Sequence, residues 1–454
     1  MALIVTSNYE LNRVVAPNLP TAPITYETRY QDQLNNVLRL YFNRLDSILG
    51  QLVATIDTLP VSIGGTNVDA FGRLRVSQPY TLFDSQNRYT EDTQYNAAVT
   101  GTGATAYQVN ESAVNLNVTA GGVGSVVRQT YRSFPYQPGK GLLVLATFCM
   151  DGSTIPTQRV GYFNAANGVF FQRAGGTSSF VLRSSVTGSV SDARTVPQSA
   201  WNGDKLDGTG ASGITLDPAK SQILWMDFEW LGVGSVRCGF IIDGTYIVCH
   251  TFTNANVITT TYMTTAILPV RYEITSASAV AATLKQICSS VMSEGGYDAQ
   301  SAVYTAIRST KRTGFSTTFV PLISIRLASG RSGAVVLIQL AQALPTVTQT
   351  YEVVLLKNAT LTGASYVASV SSNVDYDQTA TALTGGIVVA HDYVTSTSQG
   401  RSAARVDAGY NWDLQLGSTI AGVSDVYTLA IRTLDATPTG DAWGSIAFYD
   451  LTTQ

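Results

Sequence analysis

Near the start of the chain, apolar residues fall at Leu34, Leu38, Tyr41, Leu45, Ile48 and Leu52, spaced alternately four and three apart. This is a heptad seam, and it predicts an amphipathic helix over 26–58. Val37, Leu40 and Leu49 widen the stripe. Pro60 and Gly64-Gly65 end the pattern, and no comparable helix follows. An isolated helix of this kind needs a partner to bury its stripe. Two partners fit: the chain's own β domain, or copies of the same helix in a parallel bundle. A homotrimer is the preferred reading.

Before the helix, residues 1–25 hold Pro17, Pro20 and Pro23 with little periodicity, and read as an extended arm. After it, residues 59–95 are turn-rich and read as a neck. From residue 96 the period changes to two. Residues 96–298 break into short strands, with turn signals at Asp151-Gly152, Asn167-Gly168, Asn202-Gly203 and Asp243-Gly244. Leu142–Phe148 is almost continuously apolar, as in a strand buried on both faces. In Ile223–Leu231, Leu224, Met226, Phe228 and Trp230 take one face, and Ile223, Trp225, Asp227 and Glu229 the other. Residues 299–310 are expected to form a linker turn of helix. Strand patterns resume over 311–454. The expected fold is mainly β: an arm and an oligomerising helix followed by two jelly-roll-like sandwiches, 96–298 and 311–454.

The turn Asp243-Gly244 predicts a tight hairpin. Counting outward from it, Cys238 faces Cys249, with Cα atoms about 5.5 Å apart, within reach of a disulfide. No secretory signal is visible in the first residues, and reduced thiols are expected.

Composition narrows the class. The chain has 454 residues, enough for two or three domains with sizeable cores. Charged residues make up 13% of it, the net charge is −3, and there are two His and four Cys. No basic cluster suits phosphate backbones, so nucleic acid is not an expected partner. No apolar run reaches the ~20 residues of a membrane helix, so no membrane insertion is expected. So few His and Cys leave no expected metal site and no cofactor. A surface built from Thr, Ser, Gly and Tyr suits β proteins in durable assemblies.

Candidate chemistry is sparse. His250, mid-strand and facing Arg237 across the hairpin, and His391, at a strand end, read as structural. Asp227 and Glu229 share a face roughly 7 Å apart, which suits glycoside hydrolysis in principle. Carboxylates opposite a buried stripe are also ordinary surface residues, so no catalytic residue is assigned. With Trp225, whose face could stack on sugar rings, they form a candidate glycan-contact patch. Gly121-Gly122-Val123-Gly124 reads as a turn, and Asp204, Asp207 and Asp217 as an Asx-rich loop.

Two stretches resemble known proteins. TYETRYQDQLNNVLRLYFNRLDSIL at 25–49, followed by VDAFGRLRVSQPYTLFDSQNRYTED at 68–92, resembles a module at the start of structural proteins of tailed bacteriophages. WNGDKLDGTGASGITLDPAKSQILWMDFEWLGVGSVRCGFIIDGTYIVCHTF at 201–252 resembles the β domain that accompanies it. The core of this block is also similar to concanavalin-A-like lectin and glucanase sandwiches. In those glucanases the acids form a Glu-x-Asp-x-Glu strand; Asp227 and Glu229 match the last two, and Trp225 stands where the first Glu would be. The resemblance implies a non-enzymatic virion structural protein, assembled in the host cytoplasm. It would be a trimeric fibre, spike or whisker component, bound to other virion proteins through its arm and touching host surface glycans. The alternatives are a capsid decoration protein and a virion glycan hydrolase using Asp227 and Glu229.

Overall fold

The computed structural model describes residues 19, 24–25, 27–58, 78–298, 301–397, 404–407 and 412–452; for 50–58 and 404–407 it describes the backbone only. Most of the arm and residues 59–77 of the neck lie outside the described residues. The chain divides into Met1–Val76 and Ser77–Gln454.

In the first unit, Thr28–Thr58 form one α-helix. Its seam residues Leu34, Leu38, Tyr41, Leu45 and Ile48 are half-buried, and none of its described side chains is fully buried. Leu40, Phe42 and Leu49 are 58, 59 and 51% exposed. The side chain of Leu52, the last seam position, lies outside the described residues. Among the described residues, no helix is long and apolar enough to cross a membrane.

The second unit is mainly β and holds two sandwiches. In the first, one sheet runs in the order Thr245–Phe252, Val236–Ile242, Gln222–Phe228, Gly141–Cys149, Ala282–Glu294, Ala113–Val118, Gly103–Gln108, and Tyr80–Gln86 also pairs with Ala282–Glu294. Thus Tyr80–Gln86, assigned to the neck from sequence, is a strand of the sandwich. The opposing sheet has seven strands, with Val270–Ser276 between Thr157–Phe163 and Gly124–Thr130. Alternation explains the packing: Leu142, Val144, Ala146 and Phe148 point inward, as do Leu224, Met226 and Phe228. Phe171 meets Phe148 at 5.8 Å and Phe240 at 5.2 Å between ring centres. Each fully buried ring of this kind contributes roughly 1.5–3 kcal/mol. Leu143 and Leu145, expected to be buried on the second face of their strand, are only half-buried there. The buried Tyr162 hydroxyl donates toward Phe134 and Ala266 carbonyls and accepts from Leu268 N–H, so its polar end costs little.

The second sandwich has a five-stranded and a six-stranded sheet. Gly440–Asp450 is central in the former, flanked by Val336–Pro345 on one edge and by Val303–Ile307 and Arg312–Phe315 on the other. The expected linker helix at 299–310 is therefore corrected: 303–307 is a strand. Its period is two, since Ala306 is 2% exposed and Tyr304 stacks on Phe448 at 5.9 Å. Tyr351, Tyr427, Leu429 and Phe448 fill the core.

Hydrogen bonds dock the two sandwiches. Arg132 donates to the Trp412 carbonyl, Gln415 Nε2 to the Ser133 carbonyl at 2.9 Å, and Ser418 N–H to the Tyr131 carbonyl at 2.8 Å. Val335, Leu337 and Leu451 pack with Ile267, Tyr297 and Trp412 across the same junction.

Candidate functional site

Strand Gln222–Phe228 lies inside its sheet, between Gly141–Cys149 and Val236–Ile242. This fixes the outward row Ile223, Trp225, Asp227. Trp225 points outward yet is 3% exposed. It stands opposite Gly239, its indole N–H donates to the Ile247 carbonyl at 3.3 Å, and it meets Tyr246 edge-on at 5.5 Å. The exposed aromatic of this face is Tyr246, at 51%.

Asp227 stands opposite Arg237, and the two form an ion pair. Glu229 lies past the strand end, exposed, in a turn whose backbone it helps close: its N–H reaches the Ser235 carbonyl, and its carbonyl accepts from the Tyr262 hydroxyl at 3.1 Å. The strand therefore does not extend the shared row as far as Glu229. A different carboxylate approaches Asp227. Glu294, on Ala282–Glu294, reaches over Gly141. A Cβ on Gly141 would stand 3.2 Å from Glu294 Oε2 and 3.8 Å from Asp227 Oδ1. Burial pushes the Glu294 carboxyl above its ordinary value and Asp227 adds to this, while Arg237 opposes it. The cluster is thus one carboxylate committed to an arginine beside one that holds its proton more readily. No motif signalled Glu294, since it is 67 positions from Asp227 and meets it only through the sheet.

The hairpin also differs from the expected register. Its turn has Asp243 at φ 49° and Gly244 at φ 77°, both in the left-handed region the turn requires. A bulge then shifts the ladder, so that Cys238 pairs with His250 and Arg237 with Thr251. Cys238 and Cys249 are consequently not direct neighbours. All four cysteines are free thiols. His250 is 7% exposed and accepts from Asn202 N–H at 3.4 Å; burial, then Arg194, lowers its pKa. His391 is exposed on Ile387–Ser396, 3.1 Å from Glu352, which also receives Arg432.

The loop aspartates do not converge. Asp204 accepts from Leu206 and Ser212 N–H, and Asp207 from Thr209 N–H and hydroxyl. Burial would raise the Asp204 carboxyl, but those backbone donors hold it below its usual value. Among the described residues, no group of three or more His, Cys, Asp or Glu is placed to hold a metal ion.

No protein-family model matches the chain, and no curated protein matches it. Among solved structures it is similar to arcelin-5, a lectin-like defense protein from Phaseolus vulgaris, at 7% identity over 48% of this chain and 99% of that one, with a TM-score of 0.31. It is similar to a Bacillus licheniformis β-glucanase at 11% identity, over 47% and 98%, with a TM-score of 0.31. It is also similar to the CBM2 module of the evolved Dit of Lactobacillus casei BL23 phage J-1, at 5% identity, over 49% and 99%, with a TM-score of 0.32. These likenesses are partial and do not bear on activity.

Proposed function

We propose that this chain is a tailed-phage virion structural protein, a fibre, spike or whisker component. Its helix assembles three copies, its arm binds other virion proteins, and its docked sandwiches project outward to touch host glycans. One observation carries the assembly reading. The described seam residues, Leu34 to Ile48, are at best half-buried, and Leu40, Phe42 and Leu49 stand more than half exposed. A parallel bundle would take such a seam out of water. Light scattering on the purified full chain tests this. Three times the chain mass of 48.4 kDa is expected, and a monomer retaining its helix overturns it.

The reading is non-enzymatic. In its support, the Asp227 carboxylate is engaged by Arg237, which leaves it poorly suited to attack or to proton transfer. Asp227→Ala is expected to leave polysaccharide turnover unchanged from background. A loss of measurable turnover would favour the glycan hydrolase instead.

A further inference from the structure

Between the two sandwiches lies a cleft of about 400 Å³. Small-molecule sites favour domain junctions and span ~300–1,000 Å³. Gln94, Tyr131 and Arg132 line it from the first sandwich, and Lys357, Asn358 and Gln415 from the second. A second cavity, of about 240 Å³, shares Gln94, Arg132 and Asp413 with it and adds the half-buried Trp412.

The walls are held by their own hydrogen bonds. Asp425, 5% exposed, receives Lys357 Nζ at 3.0 Å, Asn358 Nδ2 at 2.7 Å and Gly417 N–H at 3.1 Å. Arg132 donates to the Trp412 carbonyl and to Gln94, with the exposed carboxylate of Asp413 3.9 Å away. Each cation already has its acceptors, so the cleft offers no uncompensated charge to a phosphate or carboxylate. Gln415 is 1% exposed, and its Oε1 has no protein partner. A buried acceptor left unpaired costs stability until something donates to it.

Amide, carboxylate and cationic groups line the cleft beside the ring of Tyr131, and Trp412 lines the adjoining cavity. Vicinal hydroxyls, which both donate and accept, satisfy such a lining, and the C–H faces of a sugar pack on rings. We propose that this cleft binds a neutral saccharide of about two rings. The proposal deepens the glycan-contact part of the reading above and is independent of the helix. It moves the contact from strand Gln222–Phe228 to the junction.

Saturation-transfer NMR on the full chain tests it, using maltose, lactose, cellobiose and diacetylchitobiose as probes and glucuronate and inorganic phosphate as anionic comparators. Thr93 lines the cleft and is exposed, so Thr93→Trp fills the space. Asp413→Ala removes an acceptor common to both cavities. At least one neutral disaccharide is expected to bind, at least tenfold more weakly in each variant and unchanged in Tyr246→Ala on the sheet face. Should Thr93→Trp fail to fold, judged by near-ultraviolet circular dichroism, Asp413→Ala decides. Binding lost in Tyr246→Ala but kept in the cleft variants overturns the cleft while leaving glycan contact standing. Absence of binding to every neutral probe overturns both, and tighter binding of phosphate or glucuronate overturns the neutral ligand.

Discussion

The indole of Trp225 occupies the space that Gly239 leaves empty on the neighbouring strand. A Cβ on Gly239 would stand 2.8 Å from Trp225 Nε1 and 1.9 Å from the Ile247 carbonyl oxygen. The absence of a side chain there is what buries an outward-facing tryptophan.

Gly239→Ala should therefore displace the indole and strain the hairpin at once. Overpacking of this kind costs about 1–3 kcal/mol. Urea unfolding should show that loss, with a red shift of tryptophan emission at zero denaturant. Tyr246→Ala, removing a ring that is half exposed, should cost less. Equal stability of Gly239→Ala and the parent would refute the packing argument.

Leu38→Asp combined with Leu45→Asp places two charges on the helix seam. The double variant is expected to be monomeric, with β circular dichroism and the sandwich melting transition retained. Collapse of the β signal together with the helix would mean that the seam packs on its own β domain.

Two glutamates should shift stability with pH in opposite senses. Burial works against the charge of Glu273, but Arg271 at 2.7 Å and Arg159 at 2.6 Å outweigh it and hold the carboxyl below its usual value. Its stabilisation is full above the ordinary glutamate range and lost as pH falls through the lower folded-state value. Glu273→Gln should thus be less stable than the parent at pH 7, and the gap should close in acid. Glu294 is raised, so its ionisation costs stability as pH rises through the folded-state value. Glu294→Gln should be the more stable protein at pH 7 and indistinguishable in acid. Melting curves between about pH 3 and 8 compare all three proteins; parallel profiles would contradict both assignments.

Burial pushes the Cys249 thiol up to about 12 and raises Cys238 well above its ordinary value. Native alkylation at neutral pH should spare both and label the half-buried Cys149 and Cys288 first. All four should react in denaturant, and intact mass should not change with reductant. Early modification of Cys238 would show that the hairpin opens.

The two-residue period made the strands legible, because alternation states which residues face inward. Tyr80–Gln86, read as part of the neck, and Val303–Ile307, read as a helical turn, were exceptions. In the latter, five residues beside a Ser- and Ala-rich stretch carry too little pattern to separate a strand from a helical turn. Alternation assigns a face but not what lies on it, so Trp225 was legible as outward-facing and not as buried. That depended on a glycine fourteen positions away. The hairpin turn was legible from Asp243-Gly244, but counting residues from a turn assumes an unbroken ladder, and the bulge at Cys249 breaks it. The meeting of Glu294 with Asp227, and of Arg132 with Trp412, depends on tertiary placement that no local motif encodes.

Each sandwich is locked by its last strand. Ala282–Glu294 joins Gly141–Cys149 to Ala113–Val118 and Tyr80–Gln86, and Gly440–Asp450 joins Val336–Pro345 to the two strands that open the second sandwich. During synthesis, neither sheet can close until that strand has left the ribosome. The first sandwich has its full complement of strands by residue 294, before the first strand of the second at Val303 has been made. Vectorial translation therefore separates two slow, long-range pairing problems in time, and keeps the open edges of one sandwich from capturing the strands of the other.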